Sequence, residues 1–208
     1  EGCVKLLTVA ADALNADKLI KMALENDICV SLGHQLASSA EINAAAAAGA
    51  SAVTHLGNGM PAMVNRHTNP LVDCLACDAL TAMIITDGHH LPDSLIKIIL
   101  KVKGADKVVI TSDATALSGL PPGTYEMFGA TVKRDHSGKV YNPETGYLAG
   151  SGSSILECMN YLASLDLLSK EELLNVGFSN ALALINVELP DNIVPPIYDQ
   201  ASNCFKIN

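Results

Sequence analysis

Ser31-Leu32-Gly33-His34 and Thr54-His55-Leu56-Gly57-Asn58-Gly59-Met60-Pro61 decide how this chain is read, because each places a histidine just past a short apolar run. The runs, Ile28-Cys29-Val30-Ser31-Leu32 and Ala52-Val53-Thr54, are β-branched and apolar enough for buried parallel strands. Each is followed by small or polar residues and then by a helical pattern. If such strands lie side by side, the residues at their C-terminal ends meet on one rim, where α/β barrels and open α/β sheets keep their chemistry. Two imidazoles on that rim can share one divalent ion. A lone histidine is more often a hydrogen-bonded core residue, but two further strand ends also carry ionisable groups. These are Ile84-Ile85-Thr86-Asp87-Gly88-His89-His90 and Val108-Val109-Ile110-Thr111-Ser112-Asp113-Ala114-Thr115.

Taken together, the four segments resemble the N-acetylglucosamine-6-phosphate deacetylases of the amidohydrolase superfamily. The motifs of that family run G-H-S, T-H-L-x-N-A-M, D-G-x-H and T-D-A-T/S in the same order, and the match extends over residues 3–185. The resemblance implies a (β/α)8 barrel and a metal-dependent deacetylase that hydrolyses the acetamide of N-acetylglucosamine 6-phosphate to glucosamine 6-phosphate and acetate. It also implies His34 and His55 as metal ligands and Asp113 as the catalytic acid/base. Asn58, Gly59, Arg66 and His90 would contact the sugar phosphate. A divalent ion on the two histidines lowers the pKa of a bound water toward ~7, and zinc is the first candidate because imidazole suits it. The competing readings are another amidohydrolase, of dihydroorotase or deaminase type, and an inactive barrel fragment that binds a sugar phosphate or a partner.

The 208 residues suffice for one sizeable core, and 49% hydrophobic with 17% charged residues is an ordinary globular composition. A net charge of −9 and a pI near 5.0 argue against nucleic acid or an anionic membrane as partner. No charged-then-apolar leader and no run of ~18 apolar residues is present, so the expected location is the cytoplasm. Six cysteines fit a reducing compartment, with Cys3, Cys29 and Cys158 inside apolar patterns that read as core. Cys74-Leu75-Ala76-Cys77 has the spacing of half a zinc site, but no second pair follows.

Along the chain, strand-helix units recur. Cys3 to Ala10 reads as a strand, and Asn15 as the cap of a helix with Leu19, Ile20, Ala23 and Leu24 on one face. Asp12 reads as a rim acid outside the family's ligand set. Ser38-Ser39-Ala40-Glu41 is a capping box opening an alanine-rich helix that Gly49 closes. A long loop holding Arg66 follows the third strand, and a guanidinium fork suits phosphate. After the fourth strand, Asp87 reads as fixing its loop through backbone hydrogen bonds, with catalysis the lesser reading, and His89 as a rim or packing residue. Tyr125 to Arg134 and Lys139 to Tyr147 read as two strands joined by a turn at Asp135-His136-Ser137-Gly138, a hairpin insertion before the last barrel helix. Ser154 opens that helix, and Ser169-Lys170-Glu171-Glu172 is another capping box.

These units make five strands of the eight that the barrel needs, over a partial barrel at 1–188 with a tail at 189–208. The strand-one H-x-H pair and the metal-binding glutamate of the family have no counterpart here. A five-stranded sheet with an open edge is a liability that something must cover. The expected partners are therefore a small-molecule sugar phosphate and either a second copy or the remaining part of the barrel.

Overall fold

The computed structural model describes residues 3–188 and 196–206. Its centre is a parallel sheet of five strands in sequential order: β1 (Leu6–Val9), β2 (Cys29–Leu32), β3 (Ala52–Val53), β4 (Thr81–Ile85) and β5 (Val108–Thr111). Parallel strands need crossovers, and helices supply them: α1 (Ala16–Leu24), α2 (Ser39–Ala48), α3 (Pro70–Ala76) and α4 (Asp93–Lys103). This is the unrolled pattern of a (β/α) barrel, with five of its strand-helix steps present and β1 and β5 at the edges. In register, Leu32 of β2 lies beside Val9 and Val53, and Ile85 of β4 beside Thr111, so the segments after the strands leave on one side.

The helices form where the caps direct them. The Ser38 hydroxyl accepts from the Glu41 amide while the Glu41 carboxylate accepts from the Ser38 amide, and Gly49 closes α2 in the left-handed region at φ 116°. Asn69 accepts from the Leu71 amide at the start of α3. Asn15 behaves differently from the expectation: it sits at φ 62° and makes no side-chain cap, because the tight turn before α1 claims a left-handed residue there. In the same helix Ile20 and Ala23 are buried, whereas Leu19 and Leu24 stay partly exposed. Pro92 is the residue just before α4, and Ile96, Ile99 and Leu100 of that helix pack inward.

Helix and sheet close on one apolar core in which Val30, Leu32, Ile84, Ile85, Ile96, Ile99 and Val108 are almost fully buried. Cys74, Cys77 and Cys158 belong to it, while Cys3 is exposed and Cys29 half-buried, so Cys3 is no core residue. Burial pushes the Cys74 thiol up to about 11 and the Cys158 thiol up to about 12, which leaves both protonated and unreactive.

After β5 the chain inserts a small antiparallel sheet of three strands, β6 (Gly123–Met127), β7 (Ala130–Arg134) and β8 (Val140–Tyr141). The first expected strand is itself a hairpin, since Phe128 and Gly129 both take positive φ and turn the chain. The turn at residues 135–138 is organised by Asp135, whose carboxylate accepts from the Ser137 and Lys139 amides. Helix α5 (Ile155–Ser164) follows with a capping box of Ser154 and Glu157. Next come α6 (Lys170–Leu174), a π-helical turn (Asn175–Ser179) and α7 (Asn180–Leu184). A final hairpin, β9 (Ile197–Asp199) with β10 (Cys204–Lys206), is tied to α5 by Asn160 and buries Phe205. Residues 189–195 of the expected tail lie outside the described residues. No helix among the described residues is long and apolar enough to cross a membrane.

Because Ile84 is fully buried in β4, between two neighbouring strands, truncating it leaves a cavity. We expect Ile84→Ala to lower unfolding free energy by about 2–5 kcal/mol in urea titrations; an unchanged midpoint would contradict the central place of β4 in the core.

Candidate active site

Immediately beyond β2, β3 and β5 the backbone makes the same unusual step. His34 has φ 53°, His55 φ 32° and Asp113 φ 50°, all left-handed conformations that a residue with a Cβ adopts at a cost. Each turn swings the side chain off its strand axis toward the rim. The outcome is one cleft of about 590 Å³, lined by His34, His55, Asn58, Gly59, His90 and Asp113 together with Tyr147 and Leu148.

The two imidazoles meet at the cleft floor. His55 Nε2 lies 2.9 Å from His34 Nε2, and the rings stand edge-on at 80°. Burial, and next the nearby His34 ring, hold His55 below the ordinary imidazole range, which keeps it neutral with a lone pair on one ring nitrogen. Its Nδ1 is buried and without a hydrogen-bond partner among the described residues. Below the pair, Thr54 donates to Ser31 at 2.7 Å and lies 2.9 Å from Thr8, a hydroxyl row that links β1, β2 and the end of β3. Gly59 closes over the rings. A Cβ there would meet His55 Cε1 at 2.8 Å and His34 Nδ1 at 3.0 Å, so only glycine lets the loop approach this closely.

Such a pair fits a divalent ion: two converging Nε2 atoms, one ring buried and neutral, and, among the described residues, no cation or carboxylate bonded to either ring nitrogen. Among the described residues, no group of three His, Cys, Asp or Glu is placed to hold a metal, so the pair offers two nitrogens to an ion and no third donor of these types.

Asn58 follows His55 in a turn closed by its own amide on the His55 carbonyl, at 2.9 Å, and its side-chain Nδ2 is buried with no partner among the described residues. A buried donor with nothing to bond is costly unless a ligand completes it. Asp113 is exposed to the cleft, and its backbone carbonyl accepts from the Ser151 amide at 2.9 Å. Asp87 is turned inward, its side chain 1% exposed, and it accepts from the His89 amide, the His90 amide, His90 Nδ1 and the Ser151 hydroxyl. Burial opposes ionisation there, but the bonds from His90 and Ser151 outweigh it and hold the carboxyl well below the usual carboxylate range. His89 instead reaches the hairpin, with Nε2 3.1 Å from the Ser137 carbonyl.

Arg66 is the exception. It is exposed in the loop after His55 and does not line the cleft. Tyr147 reads in sequence as the end of a strand, and Leu148 and Ser151 as part of the glycine-rich run that opens the next helix, with no role in the site assigned to any of the three. They arrive through the β8–α5 connection, and the Leu148-Ala149-Gly150-Ser151 run is the one local signal that could have marked it.

No protein-family model matches the chain. It is 30% identical over 186 residues to an N-acetylglucosamine-6-phosphate deacetylase of Bacillus subtilis, a match covering 89% of this chain and 46% of that protein. It is 29% identical to an N-acetylgalactosamine-6-phosphate deacetylase of a Shewanella species, over 87% of this chain and 43% of that protein. The solved N-acetylglucosamine-6-phosphate deacetylase of Pasteurella multocida superposes with a TM-score of 0.79 at 32% identity, over 88% of this chain and 47% of that one. The chain is thus a relative of the N-acetylglucosamine-6-phosphate deacetylases in sequence and in fold, and it spans about half the length of the curated relatives it matches.

Proposed function

We propose that the protein carrying this chain is a metal-dependent deacetylase that hydrolyses the acetamide of N-acetylglucosamine 6-phosphate, in the cytoplasm. The observation that carries this reading is the convergence of His34 Nε2 and His55 Nε2 at 2.9 Å in the cleft that Asp113 also lines, all three held by left-handed backbone. His34 and His55 would hold the ion, zinc being the first candidate for an imidazole pair. When bound, it would supply Lewis-acid polarisation of the reacting groups and a lowered pKa for water.

The chain's own residues do the rest. The Asp113 carboxylate accepts a proton from the water whose oxygen bonds to the acetamide carbon, then gives that proton to the nitrogen as the carbon–nitrogen bond breaks. Acetate and the amino sugar leave. Asn58 Nδ2, a buried donor with no partner among the described residues, is free to bond a substrate oxygen. His90 lines the same cleft and suits the phosphate or a hydroxyl. Arg66 would reach the phosphate only if its exposed loop folds over the cleft or a second copy presents it. The relatives' printed activities favour this reading over a dihydroorotase- or deaminase-type reaction.

Three outcomes test it in the protein at its native length. His34→Ala should lose tightly bound metal, read by elemental analysis of the purified protein; unchanged metal content would remove His34 from the site. Gly59→Ala should also lower metal content, because its Cβ enters the space of both rings. Asp113→Asn should cut kcat by about 10²-fold or more with metal retained, and full activity in that variant would sink the assignment of Asp113. The 208-residue chain on its own, with two ligands among its described residues, should bind zinc weakly and turn over slowly if at all.

A further inference from the structure

We propose that Asp87 is a positioning residue that fixes which nitrogen of His90 faces the cleft and ties that choice to the segment carrying Asp113. Its substrate arm rests on the deacetylase reading above; its structural arm does not.

The two carboxylate oxygens are divided between different tasks. Oδ1 accepts the backbone amides of His89 and His90, at 2.9 and 3.0 Å, and so folds the Asp87–His90 loop onto itself. Oδ2 accepts from His90 Nδ1 at 2.8 Å and from the Ser151 hydroxyl at 2.7 Å. An ionised carboxylate only accepts, so the proton of this contact sits on His90 Nδ1. Nε2 is then the ring atom left for the cleft that His90 lines. In the neutral ring it accepts, and in the cationic ring it donates.

Ser151 extends the control across the site. Its hydroxyl holds Oδ2, its amide donates to the Asp113 carbonyl at 2.9 Å, and its carbonyl accepts from the Thr115 amide at 2.9 Å. Through Ser151, therefore, one buried carboxylate sets His90 beside the backbone that presents Asp113. The side chains of His90 and Asp87 are 4% and 1% exposed, so bulk water does not compete for these bonds.

Asp87→Asn makes a specific forecast. With its oxygen kept on the two backbone amides, the new NH2 group replaces Oδ2 and donates to His90 Nδ1. That nitrogen must then accept, and the proton moves to Nε2. The substitution reverses the tautomer while changing the shape of the side chain very little.

The test is long-range proton–nitrogen NMR at alkaline pH on histidine-labelled protein of native length, with the His90 signals assigned by difference from His90→Gln. The expected result is a proton on Nδ1 in the wild type, on Nε2 in Asp87→Asn and still on Nδ1 in Ser151→Ala. For turnover of N-acetylglucosamine 6-phosphate, Asp87→Asn should raise KM about tenfold or more, with a smaller change in kcat. A wild-type His90 protonated on Nε2 overturns the proposal, and that spectrum is available even if Asp87→Asn does not fold. A folded Asp87→Asn protein with His90 still protonated on Nδ1 overturns it as well. A wild-type protein without deacetylase activity, with the tautomer reversed between it and Asp87→Asn as expected, would instead overturn the deacetylase reading and support the positioning role.

Discussion

The strand-end geometry of a parallel sheet is the constraint on which everything else in this molecule depends. Strands running the same way deliver the residues after them to one rim, however far apart those residues are in sequence. His34 and His55 are 21 positions apart, yet their Nε2 atoms lie 2.9 Å apart because β2 and β3 are paired with Leu32 beside Val53. A left-handed residue after the strand then turns the side chain into the cleft. The repeat of that step at His34, His55 and Asp113 concentrates backbone strain where the proposed chemistry lies, and the buried core formed by Leu32, Val53, Ile84 and Ile110 holds the strands against it.

Polar order is layered above this core. The hydroxyls of Thr8, Ser31 and Thr54 link successive strands just before the histidines. Above them the imidazole pair is closed by Gly59, and at the side of the cleft Asp87 gathers the β4 loop and Ser151. The inserted three-stranded sheet and the β8–α5 connection bring Tyr147 and Leu148 to a cleft otherwise built from the ends of the parallel strands, and Ser151 to the Asp87 carboxylate beside it.

Much of the fold was legible in the sequence, because apolar β-branched runs followed by capping signals at Ser38, Ser154 and Ser169 encode strand-helix steps locally. The convergence of His34, His55, Asn58, His90 and Asp113 on one cleft could be anticipated for the same reason: all follow strands of one sheet. Features set by turn geometry or tertiary contact were less legible. The Phe128-Gly129 turn splits an apparently continuous strand, and a non-glycine residue with positive φ leaves little trace in hydrophobic periodicity. Asn15 has the chemistry of a cap, but its backbone is used for the preceding turn. Ser151 gains its place only when the insertion folds back over β5. Arg66 has the right chemistry for phosphate and lies on an exposed loop, and residue type alone does not fix where such a loop sits relative to the cleft.

The central claim is that His34 and His55 share one ion, and anomalous X-ray diffraction from crystals of the zinc-loaded protein at its native length tests it most directly. The account expects a single strong peak at the zinc edge about 2.0–2.1 Å from both Nε2 atoms, in the cleft lined by Asp113. Crystals shown by fluorescence to contain zinc, but with no peak between these two nitrogens, would contradict it.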